Sequence, residues 1–143
     1  MTVVCVDMAL RTAQSVAANA RRALPGADVH AFAVPRDALR YIAENPCDVL
    51  ITEIELFDRG QPEGTEPYGL TFVRQVQRLH PQVNVIFSTV CDRHEYSREI
   101  DRIGFSGYLT KPFPAERLDH ELRHLRYTGS RSVEIGTYRL SPA

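Results

Sequence analysis

The stretch Asp48-Val49-Leu50-Ile51-Thr52-Glu53-Ile54-Glu55-Leu56 decides the fold. From Val49 to Thr52 every residue is apolar or β-branched, without the alternation of a strand that keeps one face in water. Such a run is expected of a strand, here Asp48–Ile54, whose two faces are both covered, as in the middle of a parallel sheet. Glu53 and Glu55 at its end then lie at the carboxyl edge of that sheet.

Outward from this stretch the same kind of run recurs at Thr2–Val6, Asp28–Ala33, Asn84–Thr89 and Gly107–Thr110. The segments between carry helical stripes: Leu10, Ala13, Ala17, Ala20 and Leu24; Ala38, Leu39, Ile42 and Ala43; Leu70, Val73, Val76 and Leu79. A fourth stripe is thin, with Tyr96, Ile100 and Ile103 on an otherwise polar segment, and a fifth is clean at Leu118, Leu122 and Leu125. Strand and helix therefore alternate through five βα units, the pattern of an α/β parallel sheet, and the thin fourth helix is the one expected to move most readily. Connections are short, at Pro25-Gly26, Pro35, Asn45-Pro46, Pro81 and Gly104, except for the Gly- and Pro-rich loop 57–69 directly after the third strand. Its acids Asp58, Glu63 and Glu66 are read as a solvated insertion more readily than as a binding element. Beyond the fifth helix, Tyr127-Thr128-Gly129-Ser130 reads as a linker, and Val133 to Leu140 alternates like one more strand.

A chain of 143 residues supports one domain with its own core. The formal charge of −1 gives no bulk electrostatic case for nucleic acid or an anionic membrane as partner. No apolar run approaches the ~20 residues of a membrane span, and Asp7 and Arg11 interrupt any secretory core near the start, so a cytoplasmic protein with no membrane partner is expected. Cys5, Cys47 and Cys91 form no C-x-x-C pair and sit in or beside apolar strands, which suits plain buried thiols. His120 and His124, spaced i, i+4, and His94 lack acids or cysteines at ligand spacing and read as solvated side chains. Of the 17 basic residues only Lys111 is a lysine. One compact ammonium among guanidiniums marks a site that wants a point charge.

The residues at the carboxyl ends of the strands are Asp7 and Met8, Glu53 and Glu55, Ser88, Thr89 and Val90, and Lys111-Pro112-Phe113. Carboxylates, a hydroxyl and the lone ammonium thus converge on one edge. No G-x-G-x-x-G or G-x-x-x-x-G-K-[ST] occurs, so no nucleotide-cradling loop is supported.

With the pieces V-C-V-D-M, D-V-L-I-T-E-I-E-L, V-I-F-S-T-V and G-Y-L-T-K-P-F in this order, residues 2–126 resemble the receiver domain of two-component response regulators. The resemblance implies a flavodoxin-like, doubly wound parallel sheet with strand order 2-1-3-4-5. It implies that an aspartate ending the third strand takes a phosphoryl group from a histidine kinase. Magnesium would be held by that aspartate, by two acids after the first strand and by a backbone carbonyl two residues beyond the phosphoacceptor. On this mapping Asp7 matches the first acid, Thr89 the switch hydroxyl, Tyr108 the switch aromatic and Lys111 the lysine that grips the phosphoryl oxygens.

Two positions depart from the pattern. Met8 replaces the second acid, and a thioether cannot serve a hard cation. Glu53 stands at the phosphoacceptor position, one methylene longer, and a misplacement of about an ångström can cost ~10²-fold in transfer. The expectation is an atypical receiver: no catalysis, magnesium weak or absent in the degenerate pocket of Asp7, Met8 and Glu55, and Glu53 resembling the phosphorylated form. Bland readings stand beside these: Glu53 as a rim charge met by water or Lys111, Tyr108 as an ordinary half-buried aromatic, Met8 as packing. Residues 1–127 would be the receiver, and 128–143 a linker and the first strand of a truncated winged-helix or similar effector, through which alone DNA would be reached, or else a terminal strand that pairs within a dimer. Other expected partners are a second copy, through the fourth helix, fifth strand and fifth helix, and a histidine kinase or other regulator. A conventional phospho-accepting receiver and a small flavodoxin-like ligand-binding protein are the alternatives.

Overall fold

The structure is a computed structural model that describes residues 1–58, 60 and 66–129, with side chains up to 125. The expected strand at 133–140 lies outside the described residues. Ten elements alternate: β1 (Thr2–Val6), α1 (Leu10–Ala23), β2 (Asp28–Phe32), α2 (Pro35–Glu44), β3 (Val49–Thr52), α3 (Tyr68–Leu79), β4 (Asn84–Thr89), α4 (Ser97–Ile103), β5 (Gly107–Thr110) and α5 (Ala115–Gly129). The five strands are parallel in the order β2-β1-β3-β4-β5, as the resemblance implies. No helix among the described residues is long and apolar enough to cross a membrane.

Period-two alternation along the inner strands divides the core between the two sheet faces. Val4, Val6, Leu50, Val85 and Phe87 point to one side, where Ile42, Leu70, Phe72, Val76 and Ile100 of α2, α3 and α4 cover them. Val3, Cys5, Val49, Ile51 and Ile86 point to the other, against Ala17 and Ala20 of α1 and Leu118, Leu122 and Leu125 of α5. Both faces being dry explains why these strands carry apolar runs.

The structure corrects several expected details. β2 ends at Phe32, and β3 spans only Val49–Thr52, because Val6, the last residue of β1, is the register partner of both Phe32 and Thr52. Leu10 and Leu79 are exposed and Ala43 faces solvent, since the outermost turns of their helices overhang the sheet, while Phe72 is fully buried beside the expected stripe. Helix α5 continues through Tyr127, Thr128 and Gly129, where a linker is expected; nothing there forbids helical backbone before the terminal glycine.

The two neighbours β1 and β3 lead to helices on opposite faces, so the crevice between their ends is the switch point of the sheet. The Glu53 N–H donates to Val6 C=O at 3.1 Å and fixes the two ends side by side. Gly69 at the start of α3 passes against this corner: a Cβ there would stand 2.3 Å from Ile54 O, a distance no side chain tolerates. Gly104 ends α4 at φ +78°, with its N–H on Ile100 C=O at 3.1 Å.

Candidate functional site

At the switch point Lys111 Nζ donates to Asp7 Oδ2 at 2.5 Å and to Glu53 Oε1 at 2.9 Å. The lysine follows β5 at the far edge, and the Lys111 N–H on Thr89 C=O at 2.7 Å sets where its stem begins. The remaining oxygens are also used. Asp7 Oδ1 accepts from the Ala9 N–H at 2.9 Å, and Glu53 Oε2 folds back to accept from the Ile54 N–H at 2.7 Å and the Glu55 N–H at 3.1 Å. The Thr89 hydroxyl acts on the Glu53 carboxylate to lower its pKa.

Burial acts to raise the Glu53 pKa, but the influence of Thr89, the hydrogen bonds from Lys111 and the Glu55 N–H, and the Lys111 charge outweigh it and hold the carboxyl below its usual range. Burial likewise acts to lower the Lys111 pKa, and its bonds to Asp7 and Glu53 raise it above the ordinary lysine value. Both groups are therefore ionised across the neutral range.

From this cluster a chain of contacts leads toward the α4–β5 side. The Thr89 hydroxyl oxygen accepts from the Cys91 N–H at 3.1 Å, and Cys91 C=O accepts from the Tyr108 hydroxyl at 2.9 Å. Tyr108 is half-buried, its ring against Phe87 and Phe105, and burial pushes its phenol pKa up, with the nearby Cys91 and Glu53 adding to the effect. The Cys91 thiol, pushed up to about 11 chiefly by burial, donates to Glu55 Oε2 at 3.3 Å.

The expected site residues thus divide. Asp7, Glu53, Thr89 and Lys111 come together, and Tyr108 joins through the Cys91 peptide. Glu55 is turned to Cys91 instead of to Asp7. Met8 is not core packing: it is 43% exposed, and its sulfur accepts the Phe57 N–H at 3.1 Å. Met8, Val34 and the 77%-exposed Phe57 form an apolar rim beside the site. Cys5, Cys47 and Cys91 are buried free thiols. Sequence reasoning missed the pairing of Asp7 with Lys111 and the retention of Glu53 by its own amides. The local signal for the first was a second acid at the same sheet edge.

The magnesium site that the resemblance implies does not fit these donors. A hard divalent cation wants several oxygens, but the ammonium of Lys111 lies between the two carboxylates and the third position offers a thioether already bonded to an amide. No group of three or more His, Cys, Asp and Glu side chains among the described residues is placed to hold a metal ion.

Comparison with known structures matches this fold. The chain is similar to the chemotaxis protein CheY4 of Vibrio cholerae, crystallised at low pH, with 26% identity, TM-score 0.68, and 86% of this chain and 96% of that one covered. A response regulator receiver domain protein of Clostridium thermocellum shares 20% identity over 86% of this chain and 91% of its own, at TM-score 0.67. The isolated receiver domain of RcsB from Salmonella enterica serovar Typhimurium, determined with phosphomimetic BeF3⁻, shares the fold at 14% identity and TM-score 0.71, covering 88% of each chain. Among curated proteins none matches the sequence. The sequence of residues 4–123 matches the response regulator receiver domain, and to that family the chain belongs.

Proposed function

We propose that this receiver domain signals through protein contact without being phosphorylated, its Glu53 carboxylate standing where a phosphoaspartate would stand. The observation that carries the reading is the set of donors on Glu53: the Lys111 ammonium and the Ile54 and Glu55 N–H groups. The resemblance assigns the lysine and the hydroxyl to phosphoryl oxygens, and here a native carboxylate already engages the lysine with no phosphoryl transfer. Thr89 then orders the Cys91 peptide, and Cys91 orders Tyr108, so the state of the site reaches the α4–β5 surface. That surface with α5 is the proposed contact with a second copy, in a cytoplasmic regulator of transcription whose DNA contact belongs to an effector domain. A histidine kinase or other regulator protein remains the proposed hetero-partner.

The test is exposure to a small-molecule phosphodonor with millimolar magnesium, read by intact mass and by thermal shift. No added phosphoryl mass and little magnesium stabilisation are expected, since a cation stabilises a fold only above its Kd. An added phosphoryl group that disappears in Glu53→Gln would establish a conventional phospho-accepting receiver instead.

A further inference from the structure

His30 stands in the middle of β2, the edge strand, and its ring lies against that of Tyr41 on α2, with centroids 4.5 Å apart. One of its nitrogens meets two partners. The Tyr41 hydroxyl lies 2.9 Å from His30 Nε2, and Asp28 Oδ1, two residues back along the strand and so on the same face, lies 3.0 Å from the same atom. A nitrogen of neutral imidazole carries either a lone pair or a hydrogen, and in the cation both nitrogens carry hydrogens. Nε2 therefore cannot accept from a hydroxyl and donate to a carboxylate at once.

The two partners select opposite states of the ring. The Tyr41 O–H donates only to a bare Nε2, which requires the neutral ring with its hydrogen on Nδ1, and a hydrogen bond to the neutral form favours that form. Asp28 accepts only from Nε2–H, and its charge favours the cation, to which it makes the stronger, charge-assisted kind of bond. Burial, then the Asp28 charge and Cys47, push the Tyr41 phenol pKa up, so the hydroxyl keeps its proton throughout the range in which imidazole titrates. The other neighbours carry their own assignments. β1 presents Val4, the register partner of His30; the turn before β3 presents the Cys47 thiol, pushed up to about 12 chiefly by burial; and Arg21 of α1 donates to Val29 C=O at 3.0 Å. On α2, Arg40 pairs with Asp37 at 3.9 Å, and Glu44 follows Tyr41 by one turn. With side chains 34% exposed at His30 and 66% at Asp28, protons reach the ring from solvent.

We propose that His30 is a pH-driven latch between the edge strand and α2. With the ring neutral, Nε2 accepts from the Tyr41 hydroxyl and ties α2 to β2. When a proton from solvent binds Nε2, the new N–H turns to Asp28 and the Tyr41 hydroxyl is released to water. The latch lies at the opposite edge of the sheet from β5, and it stands whether or not Glu53 accepts a phosphoryl group.

The experiment is a titration of the ¹⁵N-labelled chain from about pH 8 to about pH 5, the interval in which histidine changes charge. Long-range proton–nitrogen correlations follow the His30 ring, and hydrogen-exchange protection factors follow the α2 amides against those of β1. The Nδ1–H tautomer is expected at the alkaline end, and α2 protection should fall relative to β1 as His30 protonates. Asp28→Asn should lower the His30 midpoint and Tyr41→Phe should raise it, each by about half a pH unit, the size of one net hydrogen bond. Tyr41→Phe, which keeps the ring contact, should also remove the pH dependence of α2 protection. Asp28 is exposed and Tyr41→Phe deletes one oxygen, and the dispersion of the amide spectrum checks that both variants fold. An Nε2–H tautomer at the alkaline end, midpoints that stay fixed or move in the same direction in the two variants, or α2 protection that is flat across the titration of the parent would each overturn the proposal.

Discussion

Replacing Lys111 by methionine keeps the apolar stem and deletes only the ammonium between Asp7 and Glu53. Side-chain exposures of 20% for Lys111, 11% for Asp7 and 6% for Glu53 place the cluster with buried ion pairs. Removing one partner of such a pair costs about 3–5 kcal/mol, against roughly 0.2–1 for exposed pairs. Lys111 retains some solvent contact, so water can reach the vacated place and the lower end applies: about 3 kcal/mol near neutral pH. The pH dependence fixes the sign. In the parent, the depressed Glu53 pKa contributes stability above the unfolded carboxyl value, lost as pH falls through the folded one. In Lys111→Met, burial and the Asp7 charge raise the folded pKa above the unfolded one, so the penalty is small in acid and grows as pH rises through it. The gap between the two proteins should therefore narrow from about pH 7 toward about pH 4. On the alkaline side both proteins lose stability through the raised pKa values of Tyr108 and Cys91, and the parent alone carries the further loss as Lys111, its pKa raised, deprotonates. Urea denaturation of both proteins across this range measures the gap. A destabilisation below about 1 kcal/mol at every pH would mean that the three charges are solvated separately, and the reasoning would fail.

The cycle of Glu53→Gln, Lys111→Met and the double variant should show a coupling of about 0.5–3 kcal/mol in the same denaturation assay, because the two side chains share a hydrogen bond of 2.9 Å. Gly69→Ala forces a Cβ to within 2.3 Å of Ile54 O, backbone that cannot swing aside, and should destabilise by about 3 kcal/mol or abolish folding, read by circular dichroism melting. Tyr108→Phe removes the donor to Cys91 C=O and should cost about 1 kcal/mol, with faster amide hydrogen exchange from Cys91 into α4 while exchange in β1 and β3 stays unchanged.

The strands were legible because both faces of the sheet are covered, which writes the same apolar signal into every inner strand. Their ends were less so. Ala33 and Ile54 continue apolar runs but have no register partner beyond Val6, and the length of a neighbouring strand is not local information. The stripes that placed Leu10 and Leu79 in the core followed helical spacing correctly; where a helix overhangs the sheet is a property of the packed layers. At the site, the lone lysine and the carboxyl-edge rule were enough to bring Glu53 and Lys111 together. The share Asp7 takes of that ammonium spans 104 residues, and the backward fold of Glu53 onto the Ile54 and Glu55 amides depends on a rotamer. Neither leaves a pattern in the chain. Ser88 did leave one, a hydroxyl inside an apolar run, but that its oxygen has no partner among the described residues becomes visible only in the packed structure.

One carbonyl closes the long connection after β3. Ile54 C=O accepts the Leu56 N–H at 2.8 Å as the chain departs and the Gly69 N–H at 3.1 Å as it returns, so the loop is gathered at a single peptide. The entropy of closing such a loop grows only with the logarithm of its length, about 0.6 kcal/mol for each doubling. Residues can therefore be gained or lost between these two amides at small thermodynamic cost, with Glu53 one peptide away and undisturbed. The geometry separates what this corner of the domain must keep from what it can vary, and makes the loop a place for grafting a tag or a reporter without touching the charges beside it.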